Sequence, residues 1–175
     1  MLARHWLALI AVLCAAPLAQ AAEGIAELRL YPAGGIASIG ALWPQGRQNE
    51  VGVSVLYNRA ERGDAGRHDE ESGDGFGLGI EARRFKAAHR SAWFYGARIE
   101  LFQLGIDWRD AGRGQGRSDI TVLQPTLRGG YRFAGSGLEL AASLGAEINL
   151  QTDGEAVGEG AIGLLGMAYR WSDAR

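Results

Sequence analysis

Cysteine is almost absent from this chain of 175 residues: the only one, Cys14, sits inside an apolar run near the N-terminus. Without that run the protein has no disulfide to rely on, even in an oxidising compartment. Leu13 is not the small residue that lipidation would place before Cys14, so a lipoprotein is disfavoured. Lysine is represented by Lys86 alone, and proline by 4 residues. Beyond residue 21 no run reaches the ~18 apolar residues of a transmembrane helix. A chain of this kind enters a membrane only as a closed barrel, in which every backbone polar group is paired. The formal net charge of −2 gives no argument for a nucleic-acid partner.

The first 21 residues hold a short basic start (Arg4, His5), the apolar stretch LALIAVLCAA and Ala19-Gln20-Ala21 as an A-x-A cleavage site. They read as a secretory signal peptide, with the mature chain starting near Ala22 as a single domain over 22–175.

The most regular stretch is 138–150. Leu138, Leu140, Ala142, Leu144, Ala146, Ile148 and Leu150 fall on one face, and Glu139, Ala141, Ser143, Gly145, Glu147 and Asn149 on the other. This period of two is that of a β-strand, and it runs beyond the ~5–6 residues usual in soluble domains. The design recurs along the chain and gives candidate strands at 24–32, 36–43, 50–59, 75–86, 92–108, 119–133, 138–150 and 157–171. Residues 24–43 read either as two strands or as one strand bent at Pro32-Ala33-Gly34-Gly35. In 92–108 the apolar parity changes: Trp93, Tyr95, Ala97, Ile99 and Leu101 are followed by Phe102, Leu104, Ile106 and Trp108, which predicts a bulge near Leu101-Phe102. Pro125 predicts another local bulge, because it cannot donate to a ladder.

Alternation alone describes a soluble lipocalin-like barrel as well as a membrane barrel. Three further patterns favour the membrane. The polar face carries Glu27, Glu81, Glu100, Glu139 and Glu147 against Arg29, Arg83, Arg98, Arg128 and Arg132, a balance suited to a compact interior in which each ion must find a partner. Arginine suits that role better than lysine. Aromatics gather at strand ends, with Trp43, Phe85, Trp93, Tyr131, Phe133, Tyr169 and Trp171 on one rim and Tyr31, Tyr57, Phe76 and Trp108 on the other, as expected of two interface girdles. Connections also alternate in length: 60–74 and 109–118 are long and polar, 87–91 and 134–137 short.

These residues make the chain resemble the small eight-stranded outer-membrane β-barrels of the OmpA, OmpX and OmpW type. The end LLGMAYRW is similar to the carboxy-terminal strand signal of such proteins, with Gly166, Tyr169 and Trp171 in matching places. It departs from them at Leu164, where a polar residue is usual, and in the overhang Ser172 to Arg175. The resemblance implies an all-β, eight-stranded antiparallel up-and-down transmembrane barrel in the outer membrane. It also implies contact with outer-membrane lipid and lipopolysaccharide, and the barrel assembly machinery as a partner during biogenesis. An interior of this size is just filled by side chains, which disfavours open diffusion of solutes. The role expected is structural, in membrane integrity or surface contact, with no catalytic group, cofactor or metal.

Two smaller patterns point elsewhere. His89-Arg90-Ser91 resembles the H-x-S of outer-membrane lipid A deacylases, but no acidic partner accompanies it and it reads as a solvated basic turn. Asp69, Glu70 and Glu71 offer hard oxygen ligands without the spacing of a calcium loop, and His68 beside them reads as exposed. Arg113 and Arg117 are the candidates for meeting lipopolysaccharide phosphates.

Overall fold

A computed structural model describes residues 22–63, 66–87, 92–112 and 114–172. The signal segment, His89-Arg90-Ser91 and Arg113 therefore lie outside the described residues. The strands are β1 (Glu23–Tyr31), β2 (Gly34–Gln45), β3 (Asn49–Glu61), β4 (Glu70–Phe85), β5 (Trp93–Asp110), β6 (Gly114–Arg132), β7 (Leu138–Asp153) and β8 (Gly160–Trp171). Each pairs antiparallel with the next, and β8 returns to β1 through Ala26 opposite Tyr169 and Leu30 opposite Leu165, closing the sheet into a barrel. Closure removes the long free edges of an open sheet, leaving only the tips of the taller strands, such as β7 beyond Glu147, paired on one side.

The stretch 24–43 is a hairpin rather than a bent strand. Tyr31 pairs with Gly34, leaving Pro32 and Ala33 as the turn. Gly34 has φ +145°, and a Cβ there would collide with the Arg59 carbonyl. Only glycine permits that turn to sit against β3.

The segment 109–118 is not a long loop. The β5–β6 ladder continues to Asp110 opposite Gly114, and only 111–113 connects the strands. Its polar residues are the solvated outer face of a tall hairpin, and the Trp108 indole packs over Gly116. The loop 60–74 likewise shrinks to 62–69.

No bulge occurs at Leu101-Phe102, where the register stays continuous against both neighbours. The sequence changes parity there because the surroundings exchange places. Below this level the outer face is apolar and the inner face charged; above it Gln103, Asp107 and Arg109 face out and Phe102, Leu104 and Ile106 are buried inside. Nor does Pro125 make a bulge. Leu123 opposite Ile148 and Thr126 opposite Gly145 keep one register, so the missing N–H costs pairing without shifting the strand. The irregularity lies between Thr121 and Val122, whose partners Gln151 and Asn149 leave Leu150 as an extra residue in β7.

The hydrophobic core thus occupies the loop end of the interior: Ile36, Leu56, Phe102, Leu104, Ile106, Ile120, Val122, Val157, Ile162 and Leu164, with Tyr31 and Trp108 packed against it. β4 contributes glycines at the facing positions, and a Cβ on Gly77 would lie 2.6 Å from the Phe102 ring. That inward glycine makes room for a phenyl ring inside so narrow a barrel. Leu164, unexpected in a C-terminal strand signal, is 2% exposed within this core.

Candidate functional site: the barrel interior

The end of the barrel that carries Glu23 and Trp171 is crossed by a first ion-pair layer. Arg83 donates to Glu50 at 2.9 Å and to Glu139 at 2.8 Å. Arg170 donates to Glu139 at 2.9 Å and to both oxygens of Glu50 at 2.9 and 3.0 Å, and it also reaches Glu23. Arg132 stands at the edge, 3.5 Å from Glu23 and 3.9 Å from Glu50. Two buried rings, Phe85 and Phe94, lie 5.7 and 5.3 Å from the Arg83 guanidinium carbon. Their π faces favour a cation.

A second layer lies towards the middle. Arg29 makes a two-pronged pair with Glu100 at 2.8 and 2.7 Å. Arg128 bridges Glu27 and Glu81, both at 2.8 Å. Arg98 reaches the same two carboxylates at 2.7 and 3.2 Å. These are the planar, charge-assisted contacts for which guanidinium is better shaped than ammonium. Each ion here is almost wholly withdrawn from solvent and compensated from several strands at once.

The third cluster closes the loop end, above the apolar core. Arg62 bridges Glu71 at 3.2 Å and Glu147 at 3.1 Å. Glu71 also accepts from the backbone N–H groups of Arg67, His68 and Gly158. Burial alone would raise the Glu71 pKa, but these donors and the Arg62 guanidinium hold it below its ordinary value. His68 stacks on Trp108 with ring centres 4.4 Å apart and bonds to Asp110 at 3.0 Å. The hydrogen bond to Asp110 raises the His68 pKa, against a smaller opposing effect of desolvation.

All ten charged residues expected inside, Glu27, Arg29, Glu81, Arg83, Arg98, Glu100, Arg128, Arg132, Glu139 and Glu147, face the interior, although Glu147 meets Arg62 rather than Arg128 or Arg132. Sequence reasoning missed Glu23, Glu50, Arg62, Glu71 and Arg170. Glu50 shares the parity of Gly52 and Ser54, and Arg170 opposes Tyr169 and Trp171 in phase, so alternation could have found both. Arg62 and Glu71 lay hidden in an apparent loop.

Of the expected interface aromatics, Tyr57, Trp93, Tyr131, Phe133, Tyr169 and Trp171 lie on the outer face with Trp43 in the same parity. Trp93 and Phe133 each meet Tyr131 edge-on, at 5.3 and 5.1 Å. Tyr57 packs on Phe76 and donates to Asp74 at 2.6 Å. Trp108, Tyr31 and Phe85 point inwards instead, filling the interior. His68 is not a free surface group, and the carboxylates beside it are engaged: Glu70 with Arg109 at 3.2 Å, Asp69 with the Ala111 N–H at 2.6 Å. Among the described residues no group of three His, Cys, Asp or Glu side chains could hold a metal ion.

No protein-family model matches the chain, and no curated protein does. Among solved structures it is similar to Neisserial surface protein A, at 13% identity over 86% of this chain and 94% of that one, with a TM-score of 0.49. It is also similar to a major outer membrane protein from Thermus thermophilus, at 15% identity over 87% of this chain and 100% of that one, with a TM-score of 0.48. In its own right the chain is an all-β protein whose eight antiparallel strands close into an up-and-down barrel with charge sealed inside.

Proposed function

We propose that this is an outer-membrane β-barrel protein, secreted by means of residues 1–21, whose role is structural or interactive: membrane integrity, or surface contact through the loop end. The carrying observation is the inverted arrangement of polarity. Leu144, Leu127 and Leu165 are 72%, 71% and 71% exposed while Glu100 is 0% exposed. A soluble barrel needs the reverse, since a contiguous exposed apolar belt in water invites aggregation. On β5 the apolar outer face runs from Trp93 to Leu101. With a rise of ~3.4 Å per residue and a tilt of ~40°, that gives a belt on the order of 20–25 Å tall, the height of an outer-membrane hydrocarbon layer.

Successive layers of ion pairs and a packed apolar layer fill the interior, which supports a sealed barrel rather than an open channel. Outer-membrane lipid and lipopolysaccharide would surround the belt, with Arg117 and its neighbours near the headgroups. The alternating aromatics Tyr169 and Trp171 would be read by the barrel assembly machinery. Cell fractionation tests the reading. The mature protein should be found in the outer membrane and should migrate differently on a gel with and without boiling. Recovery as a soluble periplasmic monomer without detergent would overturn it.

A further inference from the structure

The loop end of the barrel is tied shut by contacts that converge on one imidazole. His68 Nδ1 lies 3.0 Å from Asp110 Oδ2 on β5, and Nε2 lies 3.2 Å from the Ala156 carbonyl in the 154–159 connection. Neither partner can donate. The carbonyl only accepts, and the other Asp110 oxygen accepts the Asp69 N–H at 3.0 Å, as a carboxylate does. A neutral imidazole has one N–H and can satisfy one of these contacts; both are satisfied only when both ring nitrogens carry protons. The ring also lies flat on Trp108, 15° from parallel, where the indole face favours a cation.

We propose that His68, held as an imidazolium, is a pH-sensitive latch joining residues 66–69 to β5 and to the 154–159 connection, and that its deprotonation loosens the cover over the apolar interior. The charged groups around it act in one direction. Asp110 from β5, Asp69 beside it and Glu71 from β4 are acidic, while Arg67 and Arg62 are engaged with Glu159 and with the Glu71–Glu147 pair. The same Glu71 carboxylate accepts from the Gly158 N–H, and Ser118 and Asn149 donate to the Glu155 and Val157 carbonyls, so 154–159 keeps these anchors at alkaline pH and loses only the His68 contact at Ala156. Loss of the latch therefore frees the contact at Ala156 and the docking to β5 while the Glu71 anchor stays. The latch does not depend on the membrane reading and stands or falls by itself.

The test uses the full mature barrel, folded in detergent or lipid. Histidine 15N NMR reports the state of the ring, assigned by comparison with His68→Gln, and amide hydrogen exchange, corrected for its intrinsic pH dependence, reports the docking at Asp69 and Ala111, whose N–H groups bond to Asp110 and to Asp69. At neutral pH both His68 nitrogens should carry protons. Corrected exchange at these amides should rise roughly tenfold or more as His68 deprotonates, the expectation for losing a charge-assisted hydrogen bond. His68→Gln should exchange fast throughout, without a step. A neutral His68 ring at neutral pH, exchange that stays flat through its titration, or the same step surviving in His68→Gln would each overturn the proposal. If the variant fails to fold, the first two readouts on the unaltered protein still decide the matter.

Discussion

Glu147 and Arg62 meet at 3.1 Å although 85 positions separate them in sequence, and their contact joins the β7 wall to the segment that closes the barrel mouth. Because Arg62 also holds Glu71, its guanidinium is the centre of the upper ionic cluster. Replacing Glu147 with Ala should destabilise the barrel by ~3–5 kcal/mol, chiefly by stranding a buried charge. Adding Arg62→Ala should recover part of that loss, whereas Arg128→Ala should act additively with Glu147→Ala. Denaturant titration of the four proteins in one lipid system measures the coupling; a coupling to Arg128 instead would contradict the observed pairing.

The outer face can be probed by where a charge is tolerated. Leu144→Arg should cost ~2–4 kcal/mol, as expected near a bilayer midplane. Gln103→Arg, on the same outer surface but above the apolar belt, should stay within about 0.5 kcal/mol of the parent. Cysteine at 144 should take a lipid-soluble reagent, and cysteine at 139 should resist water-soluble reagent from outside. Equal costs at 144 and 103 would remove the case for a lipid-facing belt.

Phe102 and Gly77 make a third test. Phe102→Ala should destabilise by ~3–5 kcal/mol through the cavity it leaves. Gly77→Ala should cost ~1–3 kcal/mol by overpacking, since the new methyl would sit 2.6 Å from the ring and 2.7 Å from the Leu101 carbonyl oxygen. The part of its cost that comes from the ring should disappear in a Phe102→Leu background, while the part from the Leu101 carbonyl stays. A glycine required only for backbone flexibility would show no such dependence on residue 102.

Stability at the loop end should have limits on both sides in pH. His68 has a folded-state pKa above its ordinary 6.5, so its contribution is complete below that value and is lost as pH rises through the folded one. Glu71 has a folded pKa below its ordinary 4.5, so its contribution is present above 4.5 and is lost as pH falls through the folded value. Protection of residues 66–71 against protease should therefore be greatest between 4.5 and 6.5. A profile that rises steadily to alkaline pH would contradict the His68 part of this account.

Much of the architecture was legible because an apolar outer face and a charged interior impose opposite demands on alternate residues. From Leu138 to Asn149 and from Tyr169 to Trp171 the pattern names the outward residue correctly. It misleads at Phe102, Leu104, Ile106 and Trp108 for an equally physical reason. Periodicity reports which residues share a face, and hydrophobicity assigns that face to inside or outside only where the solvent is known. On β5 the polarity of the two faces exchanges partway up the strand, so an unbroken ladder resembles a slipped one. The same change made the polar outer face of 109–118 read as a loop. Arg62 was out of reach for another cause: its partners Glu71 and Glu147 are brought to it by closure of the barrel, which no local pattern encodes.

The reversal at Leu101 and Phe102 also sets the vertical register of the molecule. In the proposed membrane setting, raising the barrel by one rung would carry Leu101 out of hydrocarbon, and lowering it would drag Gln103 in. The collar beyond the apolar belt is packed like a water-soluble protein, with its own apolar filling. On the proposed function the strands thus include a built-in depth stop, and whatever the loop end meets would be presented at a constant height above the surface.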